Sequence, residues 1–522
     1  MPALLHHLIS RQANSTPGSE ALILKEQVIS YQVLFEKTAS IAHSFLNHGI
    51  NRFDRIAVYL PKTIENVVAM FAASAAGATF VPVNPILKEK QVQYILTNCN
   101  ARFLVTSSDR LKQMQDELVK CPDLSAIILI DTPKHPIQFK QAQIKVLFWP
   151  ELLTEQAHFP DIASIDTDIV SILYTSGSTG HPKGVILTHR NMLSGAQSVV
   201  DYLENSQQDR ILAVLPFSFD YGLNQLTTAL SVGATTVLMN YLFPKDVIKA
   251  VAHYQITGLA AVPPLWIQLA QLEWPQNCSL RYFTNSGGTM PVATLNKLRH
   301  TLPDASPYLM YGLTEAFRST YVPPDKLESH QNSIGIAIPN AEILVLREDG
   351  SECDDNEPGE LVHRGSLVSR GYWNKPEKTA QRFKPLAALP GSSLTEIAVW
   401  SGDTVRRDKD GYLYFISRKD DMIKTSGYRV SPNEVEEVAY QYKPVKEVAA
   451  LGISHPELGQ VIALLIVSDV TAFSEQEFVK HCKQNLPNYM QPAKIIFRDN
   501  LPRNANGKID RKLLAQDFED AQ

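Results

Sequence analysis

The sequence predicts an α/β protein: a large N-terminal domain of parallel-sheet α/β layers plus a small β-barrel-like part, followed by a small α+β C-terminal domain. Three observations predict it. Short β-rich runs alternate with helical patterns through the first four hundred residues, and strands separated by helices pair in parallel. From about Glu342 the pattern becomes short strands and turns. Beyond the segment SRKDD it changes again, to a helix, two strands and a helix in a unit of about 100 residues, near the usual domain size. A chain of 522 residues also exceeds what one hydrophobic core organises.

Residues 1–21 lack a basic stretch ahead of an apolar one and carry His6, His7 and Arg11, so they read as an amphipathic helix and not as a secretion signal. Residues 55–60 (RIAVYL) read as a strand, 64–76 as a helix and 79–83 as a strand. Residues 67–83 are the most apolar stretch. They fall short of the roughly 20 residues that span a bilayer and are interrupted by Gly77 and Pro82, which predicts a buried helix and strand. The segments ARFLVTSS, SAIILI, IKVLFW and DIVSILYTS continue the strand rhythm. In the turn-rich region, the EDG at 348–350 and the KDG at 409–411 read as hairpin connections. The last unit reads as helix 432–442, strand 445–453, strand 460–468, helix 474–485 and a lysine-bearing tail. The expected division is 1–419 and 420–522.

The net charge of −5 exerts no global pull on nucleic acid or anionic lipid. The five cysteines (Cys99, Cys121, Cys278, Cys353, Cys482) form no CxxC pair and accompany no His cluster. A disulfide framework or structural zinc site is therefore not expected, and a reducing, cytoplasmic setting is. No internal repeat or low-complexity tract is visible.

One loop stands out chemically. Residues 174–185, YTSGSTGHPKGV, follow an apolar strand pattern and concentrate Gly, Ser and Thr around one lysine. Backbone N–H groups and the hydroxyls of Thr175, Ser176, Ser178 and Thr179 can donate to phosphate oxygens, and Lys183 adds charge. A solvated turn takes the same residue types. A P-loop NTPase fits the loop poorly, because Lys183 sits between Pro182 and Gly184 and lacks the Ser/Thr that would hold magnesium.

The whole string resembles the phosphate-loop signature of the AMP-forming adenylating superfamily, which includes acyl-CoA synthetases, adenylation domains of nonribosomal peptide synthetases, and luciferases. YGLTEA (311–316), WSGD (400–403), SRKDDMIKTSGYRVSPNEVE (417–436) and PRNANGKIDR (502–511) resemble its further signatures, in family order. The length is similar to that of a stand-alone member. The resemblance implies that ATP and Mg2+ serve to activate a carboxylate. The acid attacks the α-phosphate, pyrophosphate leaves, and a thiol then displaces AMP from the acyl-adenylate.

By the same resemblance, Thr175, Ser176, Gly177, Ser178, Thr179, Gly180 and Lys183 hold the leaving pyrophosphate. Thr314 contacts phosphate and Glu315 is the magnesium ligand. Tyr311 lies against the adenine, Gly312 belongs to the nucleotide site, Asp403 accepts from both ribose hydroxyls, and Arg418 reaches sugar and phosphate. Lys508 is the catalytic lysine, bridging carboxylate and α-phosphate as developing charge is neutralised. The family rotates its mobile C-terminal domain about a hinge between half-reactions, which falls on Asp420 here. After rotation Lys424, Ser426 and Gly427 would face the site, with Gly427 leaving room for the thiol arm. Intact Lys508, Glu315, Asp403 and Lys183 argue against a non-catalytic nucleotide-binding regulator of the same fold.

The acid is less defined. The alignment lines its pocket with Asp220, Tyr221, Asn224, Ala261, Thr284, Ser286, Met310, Arg318 and Ser319, a polar set unsuited to a long alkyl chain. Asp220 occupies the place where amino-acid-activating relatives pair the substrate ammonium. Either Asp220 and Arg318 bind an amine and a second acidic group of a small polar acid, or they pair with each other and the acid is fatty or aryl. The acceptor is the phosphopantetheine thiol of coenzyme A or of an acyl or peptidyl carrier protein. No nucleic-acid partner and no membrane span are expected.

Overall fold

The alternating pattern resolves, in a computed structural model, into two large sheets and two smaller ones. The structure describes residues 3–133, 143–156, 158–175, 182–330, 332–386, 395–418, 423–425, 428–455, 459–468, 473–486, 488–504 and 507–519. The first sheet orders its seven strands Lys145–Phe148, Ala126–Leu129, Ala101–Thr106, Arg55–Val58, Thr79–Pro82, Ile169–Thr175 and Lys183–Thr188. All neighbours are parallel except the last two, which form an antiparallel hairpin.

The second sheet has nine strands: Ile336–Ala337, Thr320–Val322, Ser306–Tyr311, Tyr282–Asn285, Gly258–Ala261, Arg210–Ala213, Thr235–Leu238, Glu20–Leu24 and Gln27–Ser30. Its interior pairs are parallel and its edges antiparallel. Ligand crevices in such sheets open at the carboxyl ends of parallel strands. The segment TNSGG (284–288), YGLTEA and the glycine-rich loop all leave strands at such ends.

Two helices of the first core start where the sequence supplies caps. The Thr63 hydroxyl accepts from Asn66 N (3.2 Å) to open helix Ile64–Ala75, and Ser30 accepts from Val33 N (3.3 Å) to open Tyr31–Asn47. Such a cap stabilises a helix by about 1 kcal/mol. Ile64–Ala75 packs in a core shared with Tyr31, Phe45 and Phe80. The apolar stretch is thus an internal helix and strand, and no described helix is long and apolar enough to cross a membrane.

Helix Asp220–Val232 begins with its acidic residue in the first turn and ends at Gly233, whose φ of +80° is left-handed. A Cβ on Gly222 would lie 2.3 Å from the Pro216 carbonyl oxygen, so the helix can press onto the preceding turn only with glycine there.

The small β part is a five-stranded antiparallel sheet built on Ile397–Arg407, which pairs with Gly359–Gly365, Phe383–Pro385 and Leu413–Arg418. Ala341–Leu346 completes it. The KDG turn joins Ile397–Arg407 to Leu413–Arg418 as expected, with Gly411 N donating to Asp408 O (3.0 Å). The EDG turn folds Leu346 back onto Glu352 before the chain reaches the next strand.

The C-terminal part has a separate sheet and core, with Val435, Val448, Leu464, Ile466 and Phe478 at its centre. Helix Pro432–Tyr440, strands Val445–His455 and Gly459–Ser468, and helix Glu475–Asn485 follow the predicted order. The tail differs from expectation: it adds strand Lys494–Phe497, parallel to Gly459–Ser468, and helix Arg511–Glu519.

Candidate active site

Thr175 and Lys183 stand opposite each other at the loop end of the first-sheet hairpin. Ser176, Gly177, Ser178, Thr179 and Gly180 lie outside the described residues. Gly184 is required by the hairpin, because a Cβ there would sit 2.5 Å from Ile172 Cγ2 and 3.1 Å from the Tyr174 ring.

Lys183 Nζ lies 5.0 Å from the centroid of Tyr372, whose hydroxyl donates to Glu315 Oε1 at 2.6 Å. Lys183 and Glu315 therefore converge on one tyrosine. Burial lowers the Lys183 pKa, Glu315 raises it, and Lys378, Arg382 and Lys375 lower it further. Tyr372 is held high, first by burial and then by Glu315. Four cations and one carboxylate in this neighbourhood suit a polyanion such as a triphosphate.

Tyr372, Lys375, Lys378 and Arg382 were not among the residues singled out by sequence. Backbone pairing brings them here: Tyr372 bridges Val185, and Trp373 N donates to Gly184 O (2.8 Å).

Thr314 and Glu315 sit in the short 3-10 turn Thr314–Ala316 that follows strand Ser306–Tyr311. The turn ends at Phe317, a fully buried residue with φ of +52°. A non-glycine residue in this conformation is held there by its surroundings. Here a Cβ on Gly195 would meet the Phe317 ring at 2.5 Å, so the ring fills the space that this glycine vacates. The anchor fixes the direction in which Arg318 leaves the turn.

Tyr311 donates its hydroxyl to Asp403 Oδ2 at 2.5 Å. Asp403 is buried, its N–H donates to Ser401 Oγ (3.0 Å), and Gly402 before it takes φ of +72°. Asp403 is in register with Arg418 across the antiparallel pair. Lys508 comes from the other sheet system. Its Cε lies 3.4 Å from where a Cβ on Gly287 of the TNSGG segment would stand. Lys508 is carried on a tight turn in which its N–H donates to Asn504 Oδ1 (3.1 Å) and Gly507 N to Asn504 O (2.9 Å). The C-terminal part thus delivers this lysine to the carboxyl end of strand Tyr282–Asn285.

Asp420, Ser426 and Gly427 lie outside the described residues; Lys424 is in strand Ile423–Thr425, in register with Arg429.

Residues expected to line the acid pocket gather between helix Asp220–Val232 and the middle of the nine-stranded sheet. Arg318 Nη1 approaches Asp220 Oδ2 at 3.5 Å, with the two residues 3% and 4% exposed. That single contact is long for a buried pair, and Arg318 Nε and Nη2 have no partner among the described residues. The guanidinium lies 4.9 Å from the centroid of Tyr221, which is hydrogen-bonded to Thr284. Tyr221, Asn224, Thr284 and Met310 line one cavity. Ala261 and Ser286 are buried at the ends of neighbouring strands. Ser319 turns elsewhere, with its hydroxyl 2.9 Å from Nδ1 of the fully buried His363, whose pKa burial lowers to about 3.

Residues 9–373 match the AMP-binding enzyme family, and residues 434–508 match the AMP-binding enzyme C-terminal domain. The chain belongs to the AMP-binding enzyme family. This AMP-binding enzyme is 30% identical to a linear gramicidin synthase of Brevibacillus parabrevis, across 98% of the chain but 10% of that protein. It thus spans about a tenth of that relative's length. It is 28% identical to the long-chain-fatty-acid–CoA ligase of Escherichia coli O157:H7, covering 95% of this chain and 91% of the other.

Among solved structures, an anthranilate CoA ligase in complex with anthranoyl-AMP superposes with a TM-score of 0.89 at 23% identity, covering 100% and 99% of the two chains. The o-succinylbenzoate CoA synthetase of Bacillus subtilis, in complex with its acyl-adenylate intermediate, gives 0.83 at 26%, covering 99% and 98%.

Proposed function

We propose that this AMP-binding enzyme is an acid–thiol ligase for a small amino or otherwise polar acid. One oxygen of the substrate carboxylate attacks the α-phosphorus of ATP, and the bond to the β-phosphate oxygen breaks to release pyrophosphate. The sulfur of a phosphopantetheine thiol, on coenzyme A or a carrier protein, then attacks the acyl carbonyl carbon, and the bond to the AMP oxygen breaks to give a thioester and free AMP. Lys508 meets the carboxylate and α-phosphate, Lys183 and its cationic neighbours take the leaving phosphates, and Asp403 with Arg418 takes the ribose. Mg2+ suits the site, since one carboxylate, Glu315, together with substrate phosphate oxygens and water is a typical set for this ion. No group of three or more His, Cys, Asp or Glu among the described residues could hold a metal without the nucleotide. Bound there, the ion would neutralise phosphate charge.

The observation that carries the polar-acid reading is Arg318. A buried guanidinium with two unpaired nitrogens and one long contact is incompletely satisfied by Asp220 alone. An acceptor on the substrate would complete it, while Asp220 takes an ammonium. The long-chain ligase relatives favour a second reading, in which the pair is structural and the acid is hydrocarbon. ATP–pyrophosphate exchange over a panel of acids separates them. Faster exchange with amino and hydroxy acids than with straight-chain or aryl acids is expected, and the reverse order refutes the polar reading.

The domain division at about residue 420 and the hinge at Asp420 belong to the same proposal. Asp420→Pro is expected to retain pyrophosphate exchange and lose thioester formation. Equal loss of both activities would dismiss the hinge.

A further inference from the structure

The cavity behind Tyr221 contains more polar chemistry than the adenylation reaction uses. Helix Asp220–Val232 turns Asn224, Gln225 and Thr228 toward it, at the spacing that places residues on one helical face. All three are more than nine-tenths buried: Asn224 is 3%, Gln225 7% and Thr228 2% exposed. Asn224 Nδ2, both Gln225 amide atoms and Thr228 Oγ1 lack hydrogen-bond partners among the described residues. Leaving so many polar atoms dry and unpaired is destabilising, because each loses its hydrogen bonds to water without replacement. A hydrocarbon lining would fold more stably, so the arrangement suits an occupant. The remaining walls are largely apolar (Val199, Leu203, Ile211 and Ala260), and no charged residue among those described lines the cavity.

We propose that this cavity receives the distal end of the acyl chain, and that this end is a neutral group offering both a donor and an acceptor, best matched by a terminal carboxamide. The inference rests on the acid–thiol ligase reading and extends it from the reacting end of the substrate to its far end. Gln225 can meet a carboxamide face to face, Nε2–H to carbonyl oxygen and Oε1 to amide N–H. Asn224 Nδ2 and Thr228 supply the remaining contacts. The cavity of about 20 Å³ has room for one or two waters, the scale of such a head group. An anion is disfavoured because the cavity offers it no cation, and a methyl-ended chain because it would leave every polar atom unpaired. Sites built to hydrogen-bond a substrate group reject the analogue lacking it far more strongly than apolar pockets reject an extra methylene.

The test is ATP–pyrophosphate exchange with acids paired by shape. Asparagine and glutamine are set against leucine and homoleucine. Succinamate is set against 4-methylpentanoate, a pair without the amino group. Each amide should exceed its isopropyl partner in kcat/KM by roughly 100-fold or more. Gln225→Met combined with Thr228→Val should reduce that ratio at least tenfold. Thr228→Val alone, close to isosteric, serves as the milder variant, and thermal unfolding checks that both remain folded. Isopropyl acids equal to or better than the amides, ratios unchanged in folded variants, or no exchange with any amide would overturn the inference. Preference for amides with indifference to the amino group would uphold it while removing the amino-acid form of the proposed function. Preference for amino acids with indifference to the amide would do the opposite.

Discussion

Lys508→Ala is expected to lower acid-dependent ATP–pyrophosphate exchange by roughly 10²–10³-fold, the scale of removing one donor aimed at developing charge in a closed site. The lysine is a flexible cation on a turn of the C-terminal part, brought against Gly287 at the carboxyl end of a parallel strand. At that position it can bridge two anions that otherwise repel as the carboxylate approaches phosphorus. The same substitution should leave thioester formation from chemically supplied acyl-adenylate within a few-fold of wild type, because the α-phosphate has by then been attacked. Lys508→Arg should restore little, since a planar guanidinium does not replace a compact ammonium between two oxygens. Loss of both half-reactions in equal measure would show that the residue holds the fold.

Asp220→Ala is expected to cost about 3 kcal/mol of stability, read as a lower urea midpoint, as well as activity with amino acids. The substitution leaves the Arg318 charge buried without its carboxylate partner, and removes a negative charge from a helix N-terminus. The estimate sits at the low end for a broken buried pair because the contact is single and 3.5 Å long. Replacing both partners, Asp220→Leu with Arg318→Met, should recover most of the stability, since no isolated charge remains. It should not recover exchange with amino acids. A double variant that is both stable and active with amino acids would show that the pair is structural.

The strands and helices of the large sheets were legible because they alternate with a plain periodicity, and the nucleotide motifs because five strings occur in order. The tail was misread for a physical reason. Strand Lys494–Phe497 buries no residue completely, so it shows no alternation. Helix Arg511–Glu519 did carry a signal. Asp510 accepts from Leu513 N at 3.2 Å ahead of the apolar pair Leu514 and Phe518, an N-cap and an i, i+4 stripe. Tyr372 had none, because its place beside Glu315 depends on pairing with strand Lys183–Thr188, far away in the chain. Arg318 and Asp220 were visible as residues, but the unpaired nitrogens on which the proposed substrate contact rests exist only in three dimensions.

In the proposed reaction a carboxylate oxygen of a polar acid attacks the α-phosphorus of ATP. Carboxyl-18O labelling of the best acid in the panel, with mass analysis of the products after complete turnover with a thiol, tests it most directly. One 18O atom is expected in AMP and none in pyrophosphate. ADP as product with the label in inorganic phosphate, or unlabelled AMP, would contradict it.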